Sequence, residues 1–321
     1  MKHIFVLNPV AGKGKAEKVL LPRIIEAAKN AGINYEIHRT INVGEATTYV
    51  RSKCEEEPGE ALRFYAVGGD GTISEVVNGL VGFENAEMAV IPSGSGNDFC
   101  RMFGSNKDFL NLDKQFNGTS RAVDLICYNG RYSVNMLNIG LDCAAAEKMA
   151  YYKENTVLGG TAAYVAGLLN VVIKNAGAKL KIRLDDGRVF DEEFTLLAIG
   201  NGAFCGGGFK GVPNAHVNDG LLDVSMIRKV TRLDFLQLVG KYHNGTHLDS
   251  KLVQKKDLVT YAQCKSLVLH TEPGTPICCD GEILHEEELQ IDLIPQALRF
   301  VVPQGCEDAL VLDGAEAPAA E

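Results

Sequence analysis

The chain has 321 residues, 46% hydrophobic and 23% charged, a balance that excludes global disorder and suits a soluble globular protein of about two domains. No stretch approaches the roughly 18 consecutive apolar residues of a membrane helix. A formal net charge of −9 argues against general nucleic-acid binding, which needs a basic footprint. The opening MKHIFVLNPVAGKGK holds four apolar residues in a row, Ile4 to Leu7, and no small-residue cleavage site. It reads as a first strand, not a signal peptide, and points to the cytoplasm. Nine cysteines with no C-x-x-C spacing fit buried, reduced thiols there.

In chain order, short apolar runs alternate with helical patterns. Ile4–Leu7, Tyr35–His38, Leu62–Val67 and Met88–Ile91 read as strands. Lys15–Ala31, Gly44–Cys54, Thr72–Leu80 and a segment near Asn97–Phe103 read as helices, with Pro22 inside the first of them. Repeated strand–helix units with short connections imply a parallel sheet flanked by helices. After Asp124 the pattern changes. Leu125–Tyr128, Tyr132–Asn138, Lys179–Leu184, Glu193–Ile199, Leu222–Ile227, Ser266–His270 and Leu289–Ile294 form a mostly turn-linked strand series. Helical stretches at Ala144–Tyr152, Thr161–Lys174 and Arg232–Tyr242 interrupt it. The expected fold is therefore α/β, with an N-terminal nucleotide-binding domain (1–124) and a β-rich, antiparallel, sandwich-like second domain (125–295), the cleft lying between them. A last strand, Leu298–Val302, returns to the first domain within about 296–312, and the tail 313–321 reads as disordered.

The strongest chemical signal is Val67-Gly68-Gly69-Asp70-Gly71-Thr72, where a strand runs through glycines into a helix. Glycines let a backbone turn sharply and let phosphates approach without a Cβ clash, and a helix N-terminus offers free N–H groups. Asp70 would repel a phosphate, so its natural partner is magnesium or water bound to it. A standard P-loop is absent, and Gly12-Lys13-Gly14 is followed by Glu17 where a dinucleotide fingerprint needs glycine. His243 and His247 have i,i+4 spacing, but Asn244-Gly245 breaks the helix, so exposed histidines are expected, not a zinc site.

This block resembles the signature of the diacylglycerol kinase catalytic family, which includes sphingoid-base and ceramide kinases. Asn8-Pro9-Val10-Ala11-Gly12-Lys13-Gly14, Pro92-Ser93-Gly94-Ser95-Gly96-Asn97-Asp98 and Asn138-Ile139-Gly140-Leu141-Asp142 are similar to further family elements in the same order. So are Gly206-Gly207-Gly208-Phe209 through Pro213, Asn218-Asp219-Gly220-Leu221-Leu222-Asp223, and Asp280-Gly281-Glu282. The resemblance implies an ATP- and Mg²⁺-dependent lipid kinase, transferring the γ-phosphate to the hydroxyl of diacylglycerol to give phosphatidic acid. Other lipids, an NAD kinase and a non-catalytic binding protein are the alternatives.

For the site, the resemblance implies nucleotide contacts from Asn8, Pro9, Gly12, Thr40, Gly68, Gly69, Asp70, Gly71, Thr72, Ser95 and Asn97. Asp70, Asp98 and Asp124 would form a water-linked network around the catalytic magnesium, since three such acids repel without a cation. Asp280 or Glu282, with Asp70, would do the catalytic work, one of the first two taking the proton from the lipid hydroxyl; the sequence does not choose between them. Asn218–Leu222 resembles a second, structural metal site, with Asp219 giving its side chain and His216 and Leu221 their carbonyls.

A lipid kinase without a membrane span must dock transiently. Between Arg228 and Lys256 there are seven bases, against Asp234, Asp249 and Asp257 just beyond, a local balance of +4. This segment is expected to face acidic membranes. A homodimer is compatible with the sequence, though no residue argues for it.

Overall fold

The computed structural model describes residues 1–94, 96–140, 143 and 177–307. The helices expected at 144–152 and 161–174, residues Ser95, Leu141 and Asp142, and the tail from 313 lie outside the described residues.

Four parallel strands build the first half: β1 (Lys2–Leu7), β2 (Tyr35–Arg39), β3 (Leu62–Gly68) and β4 (Ala86–Pro92), in spatial order β4-β3-β1-β2. Successive side chains on a strand point to opposite faces, and both faces here are covered. Ile4, Phe64 and Val90 pack with α3 (Glu45–Glu56) and α4 (Asp70–Leu80) on one side. Phe5, Tyr65 and Ile91 pack with α2 (Leu21–Asn30) on the other. Burial on both faces is why these strands read as unbroken apolar runs.

The helix expected over Lys15–Ala31 forms, with a wide turn in its first part. A first turn, α1 (Ala11–Lys15), carries left-handed backbone at Gly12, Lys13 and Gly14, and a wide turn follows at Ala16–Leu20. Helical backbone continues from it into α2, with Pro22 one residue past the Leu21 N–H that reaches back to the Ala16 carbonyl across the wide turn. The helix expected near Asn97–Phe103 is a single tight turn, Phe99–Met102, followed by two short helices, α5 (Asn106–Phe109) and α6 (Leu112–Phe116).

The second half is antiparallel. Its strands are β5 (Thr119–Tyr128), β6 (Arg131–Ser133), β7 (Met136–Gly140), β8 (Ala178–Leu184), β9 (Val189–Gly200), β10 (Phe204–Cys205) and β11 (Phe209–Lys210). After these come β12 (Leu222–Arg228), β13 (Val259–Cys264), β14 (Ser266–Thr271), β15 (Ile277–Cys279), β16 (Glu282–Leu284) and β17 (Glu288–Val302). Two helices, α7 (Arg232–Asn244) and α8 (Lys251–Lys256), lie between β12 and β13. Ile126, Leu137, Ile182, Leu197, Val224 and Leu269 belong to one apolar core.

The halves share one sheet through β17. Sequence pattern suggests two strands, Leu289–Ile294 and Leu298–Val302, but a single 15-residue strand covers both. Its first part pairs with β14, Phe300 pairs with Met88 of β4, and β5 runs antiparallel along most of its length. The register shifts between Ile294 and Leu298, where Gln296 has φ +52°. Such a bulge adds twist and lets one strand serve two packing layers.

Asp124 closes this bulge. Fully buried, it accepts the Gln296 N–H at 2.7 Å on one oxygen and the Gly220 N–H at 2.8 Å on the other. Its own N–H donates to the Val217 carbonyl at 2.7 Å, and Asn201 Nδ2 donates to its carbonyl at 2.8 Å. Removing the carboxylate orphans two backbone donors, at roughly 1–3 kcal/mol each. Asp124→Ala is therefore expected to lower the unfolding free energy by about 2–4 kcal/mol in urea titrations, equally with and without Mg²⁺. A loss seen only with Mg²⁺ would show that a bound ion, not the bulge, needs the acid.

Candidate active site

Loops leave β1, β3 and β4 at the carboxyl edge of the parallel sheet, where open α/β sheets bind ligands. After β1, Asn8 turns back on itself, its Oδ1 accepting the Val10 N–H at 3.2 Å around Pro9, while its Nδ2 reaches Thr72 Oγ1 at 3.4 Å. Thr40, just past β2, is tied to the same level: its N–H donates to the Leu7 carbonyl at 2.9 Å. Between the β3 and β4 loops, the Ser93 N–H donates to the Gly68 carbonyl at 2.8 Å.

The glycines at this edge are there because backbones meet. Gly12 is left-handed and lies against the Ser93 carbonyl, so a side chain there would collide with it. A Cβ on Gly94 would sit 2.7 Å from the α-carbon of Gly69. Gly69 caps α4 in an extended conformation, and Asp70 is the helix's first residue, not its cap. The first turn of α4 thus presents free N–H groups and the positive dipole end toward the crevice.

An acid cluster borders this cradle. Asp70 Oδ2 accepts the Asn97 N–H at 3.1 Å. A Cβ on Gly96 would stand 2.5 Å from that oxygen and 3.6 Å from Asp98 Oδ2, so a glycine is needed where the two carboxylates converge. Burial, then the Asp98 charge, with Asp280 adding to them, pushes Asp70 up to about 6. Asp98 accepts Arg101 Nε at 3.1 Å and the Gly207 N–H at 2.8 Å, linking the β4 loop to the Gly206–Gly208 turn.

The Asp280-Gly281-Glu282 turn joins β15 to β16 and lies over the start of α4. Gly281 faces Asp70, whose Cβ is 3.8 Å from where a side chain would begin, and Gly71 faces Glu282 Oε1 at 3.9 Å in the same sense. The two acids point apart. Asp280, in left-handed backbone, accepts the Val134 N–H at 2.9 Å and the Met136 N–H at 3.0 Å. This wrapping splits the strand expected over Tyr132–Asn138 into β6 and β7, and burial holds the Asp280 pKa above its usual range. Glu282 is solvent-facing, its pKa raised by partial desolvation and then by the charges of Glu75 and Asp280.

The other expected metal residues gather elsewhere. Asp219 accepts the Leu221 N–H at 3.0 Å, and burial raises its pKa. His216 lies close enough to Asp219 and to buried Asp223 to influence both charges. Asp124, grouped with Asp70 and Asp98 by the resemblance, is held instead by this loop through Gly220, both of its oxygens taken by backbone N–H groups. Among the described residues no group of three or more His, Cys, Asp or Glu forms a ready metal cage. His247, expected to be exposed, is 1% exposed, its ring against Tyr242. Sequence reasoning missed Arg101, whose i,i+3 spacing from Asp98 was the available signal, and Glu75, one turn into α4.

Asp70 gives a pH-dependent prediction. An unfolded aspartate ionises near pH 4, but folded Asp70 does so at about 6. Its ionisation therefore destabilises the fold: the penalty is absent below about pH 4, grows as pH rises to about 6, and is constant above. For the metal-free protein at pH 8, Asp70→Asn is expected to raise the melting temperature by about 2–5 °C, allowing for partial solvation. The gain should vanish at pH 4. Equal melting temperatures at pH 8 would mean that Asp70 is not electrostatically frustrated.

Comparison with known proteins identifies both halves of the chain. The diacylglycerol kinase catalytic domain family matches residues 2–128, and the YegS C-terminal NAD kinase beta sandwich-like domain matches residues 135–302. A diacylglycerol kinase of Bacillus subtilis (strain 168) is 29% identical over 283 residues, 86% of this chain and 88% of that one. A YegS-like probable lipid kinase of Pseudomonas aeruginosa (strain UCBPP-PA14) is 30% identical over 282 residues, 88% of this chain and 89% of the other. A solved structure from Bacillus anthracis (strain Sterne), provisionally named a diacylglycerol kinase, has a TM-score of 0.74 at 27% identity and covers 95% of this chain and 96% of its own. With the acid-lined glycine cradle of the first half and the β-rich second half both matched, the chain belongs to the diacylglycerol kinase and YegS-like lipid kinase family.

Proposed function

We propose that the protein is an ATP- and magnesium-dependent kinase that phosphorylates the hydroxyl of diacylglycerol, giving phosphatidic acid. The observation that carries the reading is the seating of the Asp280-Gly281-Glu282 turn on Asp70 and Gly71 at the start of α4, which sets a solvent-facing carboxylate beside the glycine-rich backbone. The kinase relative of Bacillus subtilis, matched over most of both chains, supports diacylglycerol as the acceptor.

The residues present fit a nucleotide and a divalent cation. A Cβ at Gly12 would strike the Ser93 carbonyl and one at Gly94 the Gly69 α-carbon, so only glycines let the loops that would hold the phosphates close on one another. Crowded Asp70, with its raised proton affinity, suits a divalent cation, which relieves repulsion among Asp70, Asp98 and Asp280. Bound MgATP supplies the phosphoryl group and neutralises charge that builds on it during transfer. Gly68–Thr72 and the first N–H groups of α4 hold the phosphates, Asn8 and Thr40 flank the nucleotide, and Asp70 holds the cation. Asp98 positions the β4 loop through Arg101 and Gly207.

Glu282 is the base in this reading. The Asp280 carboxylate is engaged by two backbone N–H groups, which leaves it poorly placed to meet a lipid hydroxyl. Glu282 faces solvent beside α4, and its raised pKa makes it a stronger base near neutral pH. It acts only when ionised, so kcat/KM should fall as pH drops through that raised pKa, above the usual glutamate range.

The test is transfer of label from γ-labelled ATP with Mg²⁺. Separate mixed micelles carry diacylglycerol, monoacylglycerol, ceramide or sphingosine, with NAD as a soluble control. Label is expected in phosphatidic acid. Glu282→Gln should reduce it about 10²–10⁴-fold and abolish the acid limb of the pH profile. Label confined to another lipid would change the substrate, and no label in any tube would contradict the kinase reading.

A further inference from the structure

The face of α4 that starts at Gly71 runs on through Glu75 to Asn78, and all three are half-buried. Residues three and four apart share a helix face, and Gly71 and Asn78 are separated by about 10 Å along the axis, roughly two turns. The two ends of this face meet the second half at different places. At the first turn, a Cβ on Gly71 would stand 3.9 Å from Glu282 Oε1. At the far end, the Asn78 side chain reaches β6.

Every hydrogen-bonding atom of the Asn78 amide is used. Its Oδ1 accepts the Tyr132 N–H at 3.0 Å, and its Nδ2 donates to the Tyr132 carbonyl at 2.8 Å. Nδ2 also donates to the Ser74 carbonyl of its own helix at 2.9 Å, which fixes the direction of the side chain. An asparagine amide offers donor and acceptor together, as a peptide group does, so here it takes the place of a neighbouring strand. The edge it fills is open: among the described strands β6 pairs with β5 alone, Tyr132 lying opposite Cys127. The Tyr132 ring packs against the core that holds Ile73, Val76 and Val77 of α4. Glu75, between the two ends, is committed elsewhere, its Oε2 accepting the Ala46 N–H at 3.1 Å in α3.

From Tyr132 the grip passes to the candidate base. Just beyond it, the Val134 and Met136 N–H groups hold the Asp280 carboxylate, and the Asp280 N–H donates to the Met136 carbonyl at 3.1 Å. Asp280 leads into Gly281 and Glu282, which return to the start of α4. The chain of contacts thus leaves α4 at Asn78 and closes on the same helix at Gly71. The height at which Glu282 stands along α4 is therefore set two turns away. We propose that Asn78 is a positioning residue for phosphoryl transfer, its amide indexing the second half on α4 so that the Glu282 carboxylate stands over Gly71; this deepens the kinase reading and rests on it.

The test compares Asn78→Ala with a control of similar chemistry away from the site. Asn85 Nδ2 donates to the Glu57 and Glu60 carbonyls at 3.1 and 3.0 Å, at the amino edge of the parallel sheet, so Asn85→Ala serves. With γ-labelled ATP, Mg²⁺ and diacylglycerol micelles, Asn78→Ala is expected to lower kcat about 10–10²-fold and to keep the KM for MgATP within about twofold. Asn85→Ala should keep both. In the Glu282→Gln background, Asn78→Ala should cost less than about twofold more, because a residue that acts through Glu282 has nothing left to position. Hydrogen exchange across residues 277–284, followed without substrate, should quicken about tenfold or more in Asn78→Ala and not in Asn85→Ala. A parent-like kcat, losses that multiply in the double variant, or unchanged exchange overturns the positioning role. Equal kcat losses in Asn78→Ala and Asn85→Ala overturn it too, since general destabilisation would account for both. If no form phosphorylates any lipid while exchange still quickens in Asn78→Ala, the indexing of the turn stands and the kinase reading falls.

Discussion

The pairing of β5 with β17, closed at its bulge by the Asp124 carboxylate, is the interaction on which the rest depends. β17 is edge partner to the parallel sheet at one end and to the antiparallel sheet at the other. Asp124 meets Gln296 at the bulge and Gly220 in the loop before β12. One buried acid therefore fixes the direction in which the strand passes between the halves. The Asp280-Gly281-Glu282 turn and the start of α4 at Asp70 and Gly71 come from opposite halves, so their contact is set by this crossing.

The acids that the sequence marks as one group divide into distinct tasks. Asp124 organises the crossing. Asp98 joins the β4 loop to the Gly206–Gly208 turn, and Asp280 orders the chain between β6 and β7. Asp70, Asp280 and Glu282 all have raised proton affinities, and of these Glu282 is exposed. Frustration of this kind belongs at a site that gains its counter-charge from a ligand.

Much of this was legible in the sequence. The parallel strands announce themselves as apolar runs because both faces are buried, and Gly68–Thr72 marks a strand-to-helix turn for want of Cβ atoms. Local pattern failed where distant contacts decide. Pro295 looks like the end of a strand, but it falls in the bulge, where a missing N–H breaks no ladder bond. The gap between β6 and β7 exists for Asp280, 144 residues from Met136. The assignment of the base was beyond sequence, since only the partners of Asp280 show that Glu282 is the accessible acid.

The central claim is that Asp70 and Glu282, brought together from the two halves, serve one phosphoryl transfer. A double-mutant cycle on kcat/KM with Asp70→Asn and Glu282→Gln tests it most directly. Groups that act as a unit are strongly non-additive, so adding Glu282→Gln to Asp70→Asn is expected to cost little further activity. Losses that multiply would mean that the two carboxylates act independently, contradicting a single site built across the β5–β17 crossing.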